Sequence, residues 1–320
     1  GFGYIGSTIT SLIYASFTFI FFALEAAIMA MALHILFGIS LEIGYVISAL
    51  IVLPLVTHGV SYISRFQVWS QPIWVILQLV PLFFVFQHPD SNFKDWIAFT
   101  GIGENETEAG NFNLLLFGSA SAILLSLVAQ IGEQVDFLRF LPERPKAGRF
   151  KWWFALIAAG PGWILFGALK LFLGSFLAYF ALTQGMDIDL ADDPAHMYNL
   201  AFSLVFDNPT ISLIFACSFV VISQLKINVA NAYAGSLAWS NFFSRVTRTH
   251  PGRVVWTMFN VVIALLLMEL GIYQTIETML SVYSVLVLSW LSSVVADLII
   301  NKPLGISPKH IEFKRSHLYD

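Results

Sequence analysis

Charge is what this sequence has least of. Only 11% of its 320 residues are Asp, Glu, Lys or Arg, against roughly 25% in a soluble domain. So few charges cannot wet a folded surface on all sides. Cysteine is scarcer still: Cys217 stands alone, inside an apolar run, which excludes a disulfide framework and a thiolate metal site. The sequence has no HExxH, no GxSxG and no phosphate loop, and no clustered carboxylate pair is evident within one span. No catalytic set can be assigned, and the expectation is a protein that is not an enzyme and carries no cofactor. Basic residues are confined to short loops, so there is no nucleic-acid footprint.

What the chain has in excess is apolar bulk. Hydrophobic residues make up 58%, including 30 Phe and 9 Trp. That is more than a soluble core of this size can hide, and the alternative is contact with a lipid bilayer. In lipid every backbone N–H and C=O must be satisfied within its own segment, so the runs are expected to be helices. They are also about 20 to 30 residues long, too long for barrel strands. The fold class is therefore all-α, a polytopic membrane bundle of about eight spans. The spans expected are Ser7–Phe37, Leu41–Thr57, Phe66–Gln87, Asn113–Phe140, Trp152–Leu182, Thr210–Trp239, Gly252–Leu270 and Tyr273–Ile300. Gly1 is not a methionine, no signal peptide follows it, and the chain ends in a polar tail at Asp320. The expectation is a single transmembrane domain over 1–320, excerpted from a longer protein.

Orientation follows from the loops. Arg139, Arg144, Lys146, Arg149 and Lys151 follow the fourth span; Arg245, Arg248 and Arg253 follow the sixth; Lys302, Lys309, Lys314 and Arg315 follow the eighth. The intervening loops hold Asp90, Asp95, Glu104, Glu106 and Glu108, then Asp187, Asp189, Asp192 and Asp193. Alternation of this kind fits the positive-inside rule, with the first span starting in the cytoplasm of a multi-pass protein of the cytoplasmic membrane. Asn105-Glu106-Thr107 matches a glycosylation sequon, a pattern short enough to arise by chance. Pro194 to Phe202 reads as a short helix on the outer face.

Within a bilayer a charged side chain costs about 2.5–3.5 kcal/mol near the midplane. Glu25, Lys170 and Lys226 stand near the middle of their spans, marking either an ion or substrate pathway or a helix-to-helix anchor. Ser223, Gln224, Lys226, Asn228 and Asn231 crowd one stretch of the sixth span. The two Asn lie one turn apart, and carboxamides both donate and accept, which suits the edge of a heterocyclic amide. Gln130-Ile131-Gly132-Glu133-Gln134 interrupts the fourth span after a run of small residues, the pattern of a broken helix lining a cavity. Asp136 and Arg139 close that span, as a salt bridge or cap.

Three stretches resemble the nucleobase–cation symporter family of purine–cytosine, allantoin and hydantoin permeases. Asn228-Val229-Ala230-Asn231-Ala232-Tyr233-Ala234-Gly235 resembles its Asn-rich eighth helix. Val135-Asp136-Phe137-Leu138-Arg139-Phe140 is similar to the close of its sixth, and Ala296-Asp297-Leu298 to the end of its tenth. The resemblance implies a five-helix inverted-repeat fold with the site at mid-membrane between broken helices one and six, the spans here being helices three to ten. It further implies that Phe21 and Glu25 meet the substrate from helix three, Gln130 and Gly132 from helix six, and Asn228, with Asn231, from helix eight. Lys226 occupies the neighbourhood where the family places sodium-binding hydroxyls. An ammonium there would stand in for the cation, with Glu25 pairing with it or carrying protons. Two functions remain open. One is a secondary transporter of a nucleobase-like solute, coupled to a proton or sodium ion. The other is a transporter-like sensory input domain fused to a cytoplasmic signalling domain such as a histidine kinase.

Overall fold

The structure is a computed structural model, and it describes residues 3–101, 112–145 and 147–309. The sequon at Asn105, the acidic residues Glu104, Glu106 and Glu108, and Lys146, Lys314 and Arg315 lie outside them. Every regular element among the described residues is helical: α1 Gly3–Phe37, α2 Leu41–Thr57, α3 Val60–Gln87, α4 Phe93–Ile97, α5 Leu114–Ser126, α6 Gln130–Leu138, α7 Arg149–Ala159, α8 Trp163–Thr183, α9 Ile188–Ala191, α10 Pro194–Ser203, α11 Pro209–Val246, α12 Arg253–Glu269 and α13 Ile276–Ala296.

Six helical stretches are long and apolar enough to cross a bilayer: Ile5–Phe37, Val60–Gln87, Leu114–Leu138, Arg149–Thr183, Pro209–Val246 and Thr278–Asn301. The other two expected spans do form helices, α2 and α12, each 17 residues long. At about 1.5 Å per residue these are short against a hydrocarbon core of about 30 Å. Among the described residues the molecule is thus a helical membrane bundle with six long apolar helices, α2 and α12 being shorter.

Local chemistry sets the helix starts. Asn208 caps α11, its side chain accepting from the N–H of Thr210 at 2.9 Å, with Pro209 in the first turn where no N–H is needed. Asn113 caps α5 in the same way. Asp193 caps α10, which forms the expected short helix. Two interruptions form, the first just ahead of the expected Gln130–Gln134 stretch, which is itself helical as the start of α6. A 3-10 turn at Leu127–Ala129 separates α5 from α6, and Gly160-Pro161-Gly162 separates α7 from α8.

The core lies between α1, α2, α11 and α12, with the antiparallel pair α1 and α11 at its centre. Ala15, Ala23, Ala26, Ala27 and Ala30 of α1 and Ala232, Ala234, Gly235 and Ala238 of α11 carry little bulk. Helices with small residues at their interface approach closely, which is how helices associate where lipid offers no hydrophobic drive. Outward-facing bulk remains uncovered: Trp69 of α3 and Leu115 of α5 are each 82% exposed. In water that would be an aggregation surface; in a bilayer it is solvated by acyl chains.

Candidate functional site

The register of α1 on α11 places the polar groups. Thr18 Oγ1 donates to Asn260 Oδ1 of α12 at 3.1 Å, and Trp239 Nε1 of α11 donates to the same oxygen at 3.0 Å. Gly235 lies directly against this knot, since a Cβ there would stand 2.5 Å from Asn260 Oδ1 and 2.7 Å from Thr18 Oγ1. Phe19 stacks on Trp239 with ring centroids 5.9 Å apart. Glu25 lies two helical turns along α1 from Thr18, and Asn228 two turns back along α11 from Gly235. Two turns bring a helix round to nearly the same face. Glu25 and Asn228 therefore lie at about the same level of the α1–α11 pair.

Asn228 is wholly buried. Its Oδ1 accepts from Asn231 Nδ2 at 3.4 Å, while its own Nδ2 has no partner. A buried amide donor left unpaired costs about 1–3 kcal/mol. Phe21, one turn before Glu25, is buried against Phe17 with ring centroids 4.6 Å apart. The half-buried Glu25 has Lys170 of α8 as its charged neighbour. The Lys170 ammonium lies 5.2 Å from the centroid of the Trp74 ring of α3, and Trp74 Nε1 donates to Ser223 Oγ of α11 at 2.6 Å. A cation over an indole face is favourable by about 0.5–2 kcal/mol.

Lys226 is placed differently. Its ammonium donates to the Gln67 carbonyl of α3 at 3.1 Å and to Ser70 Oγ at 3.0 Å, and Gln67 Nε2 donates back to the Lys226 carbonyl at 2.6 Å. The three bonds clamp α11 to α3 and direct the charge away from Glu25, so the expected Glu25–Lys226 pairing is not formed. Hydrogen bonds to a charged group contribute about 1.5–3 kcal/mol. Lys226→Ala should therefore lower the apparent unfolding temperature in detergent; an unchanged unfolding temperature would mean that these bonds do not hold α11 to α3.

Gln130 and Gly132 lie on α6, after the break. Gly132 packs on Tyr14 of α1, where a Cβ would stand 2.8 Å from the ring. The phenol of Tyr14 donates to Asp136 Oδ2 at 3.1 Å, and Arg139 Nη2 donates to Tyr233 OH of α11 at 3.1 Å. Asp136 and Arg139 thus satisfy different tyrosines rather than bridging each other. Phe137 also stacks on Tyr233, with centroids 5.9 Å apart. Glu133, one turn before Asp136, makes with it the carboxylate pair within one span that the sequence had not suggested.

At the acidic-loop end, α10 covers α11. Gln78 Nε2 of α3 donates to Tyr198 OH at 2.7 Å. Burial pushes the Tyr198 phenol up to about 12, only partly offset by that hydrogen bond. Tyr273, in the turn before α13, is likewise pushed up to about 12 by burial, with Asp193 and Asp192 adding to it. Both phenols stay neutral at physiological pH.

Sequence reasoning grouped Glu25, Asn228 and Asn231 with Lys226, Gln130 and Gly132; the structure places the first three on the α1–α11 pair, Lys226 against α3 and Gly132 against Tyr14. That reasoning missed Trp74, an ordinary aromatic in an apolar run, and it passed over Glu133, whose signal was a carboxyl at membrane depth. No protein-family model, curated protein or solved structure matches the chain.

Proposed function

We propose that this chain is the membrane-embedded part of a secondary transporter, and that it holds a small nitrogenous solute of the nucleobase type at mid-membrane beside the α1–α11 pair. The observation that carries the reading is the Asn228 amide: fully buried, with an unspent N–H, level with the Glu25 carboxyl. A donor left unpaired at a cost is explained when a ligand carbonyl or ring nitrogen completes it. Glu25 accepts from the ring N–H groups on the opposite edge, Asn231 holds the Asn228 carbonyl in place, and Phe21 supports the site from below.

The element order agrees with helices three to ten of the five-helix inverted repeat. On that correspondence α1, α2 and α3 are helices three to five, α5–α6 the broken sixth, α7–α8 the seventh, and α11, α12 and α13 the eighth to tenth. The loop charges support a cytoplasmic start for α1. Gly132 acts in packing α6 on α1, and Lys226 in holding α11 to α3.

Uptake of labelled cytosine, uracil, allantoin and hydantoin into proteoliposomes carrying the intact protein tests this. At least one should accumulate above protein-free vesicles. Saturable binding with no uptake would move the reading to a sensory input domain, and neither binding nor uptake of any nitrogenous heterocycle would end it.

A further inference from the structure

Glu133 is half-buried, and one of its carboxyl oxygens is among the sealed polar atoms whose needs the fold does not meet. Its Oε1 is sealed from solvent and has no hydrogen-bond partner. Charged and phenolic side chains of the neighbouring elements have partners of their own. From α1, the Tyr14 phenol donates to Asp136. Arg139, just after α6, donates to Tyr233 of α11 and lies 4.9 Å from the Phe140 ring centroid. Arg253 of α12 lies 5.0 Å from the Tyr233 ring centroid and donates to the carbonyls of Val56 and Thr57 at 3.4 and 3.3 Å. Tyr283 of α13 donates to the Ile13 carbonyl at 2.7 Å. The group closest in charge is Asp136, a like-charged carboxyl one turn away.

An ionised carboxylate with one oxygen sealed from solvent and without a donor is in a costly state in a low-dielectric interior. A metal ion would require several converging ligands, and the described residues hold no group of three or more His, Cys, Asp or Glu so placed. A proton requires only the carboxyl itself.

We propose that Glu133 is a proton-binding site that couples protonation to the seating of α6 on α1 and α11. A proton from water at the Arg/Lys-loop end adds to the Glu133 carboxylate, and α6 seats with the neutral carboxyl enclosed. When the proton leaves, the charged oxygen must reach a donor or water. The 3-10 turn at Leu127–Ala129 and the close Gly132–Tyr14 contact are the places where α6 yields. As the coupling ion of a transporter the proton rests on the reading above; as a protonation site it does not.

The test therefore needs no solute. In pH-titrated difference infrared spectra of the intact protein in lipid nanodiscs, a protonated-carboxyl C=O stretch should disappear as pH rises. It should persist in Glu25→Gln and be absent from Glu133→Gln. If Glu133→Gln does not fold, carbon-13-labelled glutamate in the Glu25→Gln background should shift the band. A band that survives in Glu133→Gln, that ignores the glutamate label, or that never titrates overturns the proposal. Failure of solute uptake alone leaves it standing, which separates the two readings.

Discussion

Gly235→Ala should be among the most damaging single substitutions in the bundle, costing about 3–5 kcal/mol. The added methyl would stand 2.5 Å from Asn260 Oδ1, 2.7 Å from its Cγ and 2.7 Å from Thr18 Oγ1. None of these atoms ends a flexible chain that can swing aside, because Asn260 Oδ1 holds Thr18 and Trp239 together across three helices. Overpacking costs about 1–3 kcal/mol, and each hydrogen bond lost as α1, α11 and α12 splay adds about 1 kcal/mol. The expected result is a large fall in unfolding temperature in detergent and a poor yield of folded protein. The cause is specific to the knot, so Asn260→Ala combined with Gly235→Ala should recover part of the loss. A double-mutant cycle over these two positions gives that interaction directly. Additive effects would mean that the two residues do not meet.

Asn228→Ala should remove solute binding while sparing the fold. The substitution deletes a buried amide whose Nδ2 already lacks a partner, so a destabilising unpaired group leaves with it. The counter-cost is Asn231 Nδ2, which loses the Oδ1 it reached at a long 3.4 Å. The two effects are each about 1–3 kcal/mol and opposite in sign, so stability should move little. Binding has no such compensation, since the solute loses its donor in a desolvated site. A loss of about 1–3 kcal/mol corresponds to roughly 5- to 150-fold in affinity. Solute titration by calorimetry, alongside a thermal melt, separates the two quantities. Unchanged affinity would make Asn228 a packing residue.

Much of this architecture is legible along the chain because membrane helices leave long, uniform signals. The α2 helix begins and ends where its apolar run does, and the break between α7 and α8 falls at a Gly-Pro-Gly triplet. Span count was less legible. The α2 and α12 runs are apolar but only 17 residues long, and whether such a helix crosses depends on tilt and neighbours that no local pattern encodes. At the site, sequence identified which residues are costly in lipid but not where each is directed. Lys226 and Asn228 are two positions apart on one helix, yet that separation turns them about 200° apart, one toward Gln67 and Ser70 and the other toward α1. The charged neighbour of Glu25 was equally hidden, because Lys170 arrives from α8, far away in the chain.

The central claim is that the polar groups at mid-membrane face a space that water and solute enter, not hydrocarbon. Cys217 is free and buried, so the protein provides a quiet background for a single introduced thiol. Reaction with a thiosulfonate reagent needs the thiolate, which forms in contact with water and not in an acyl-chain environment. Glu25→Cys should react with a small water-soluble thiosulfonate in intact vesicles, and saturating solute should slow that reaction. A thiol at position 25 as inert as Cys217, with or without solute, would contradict the account.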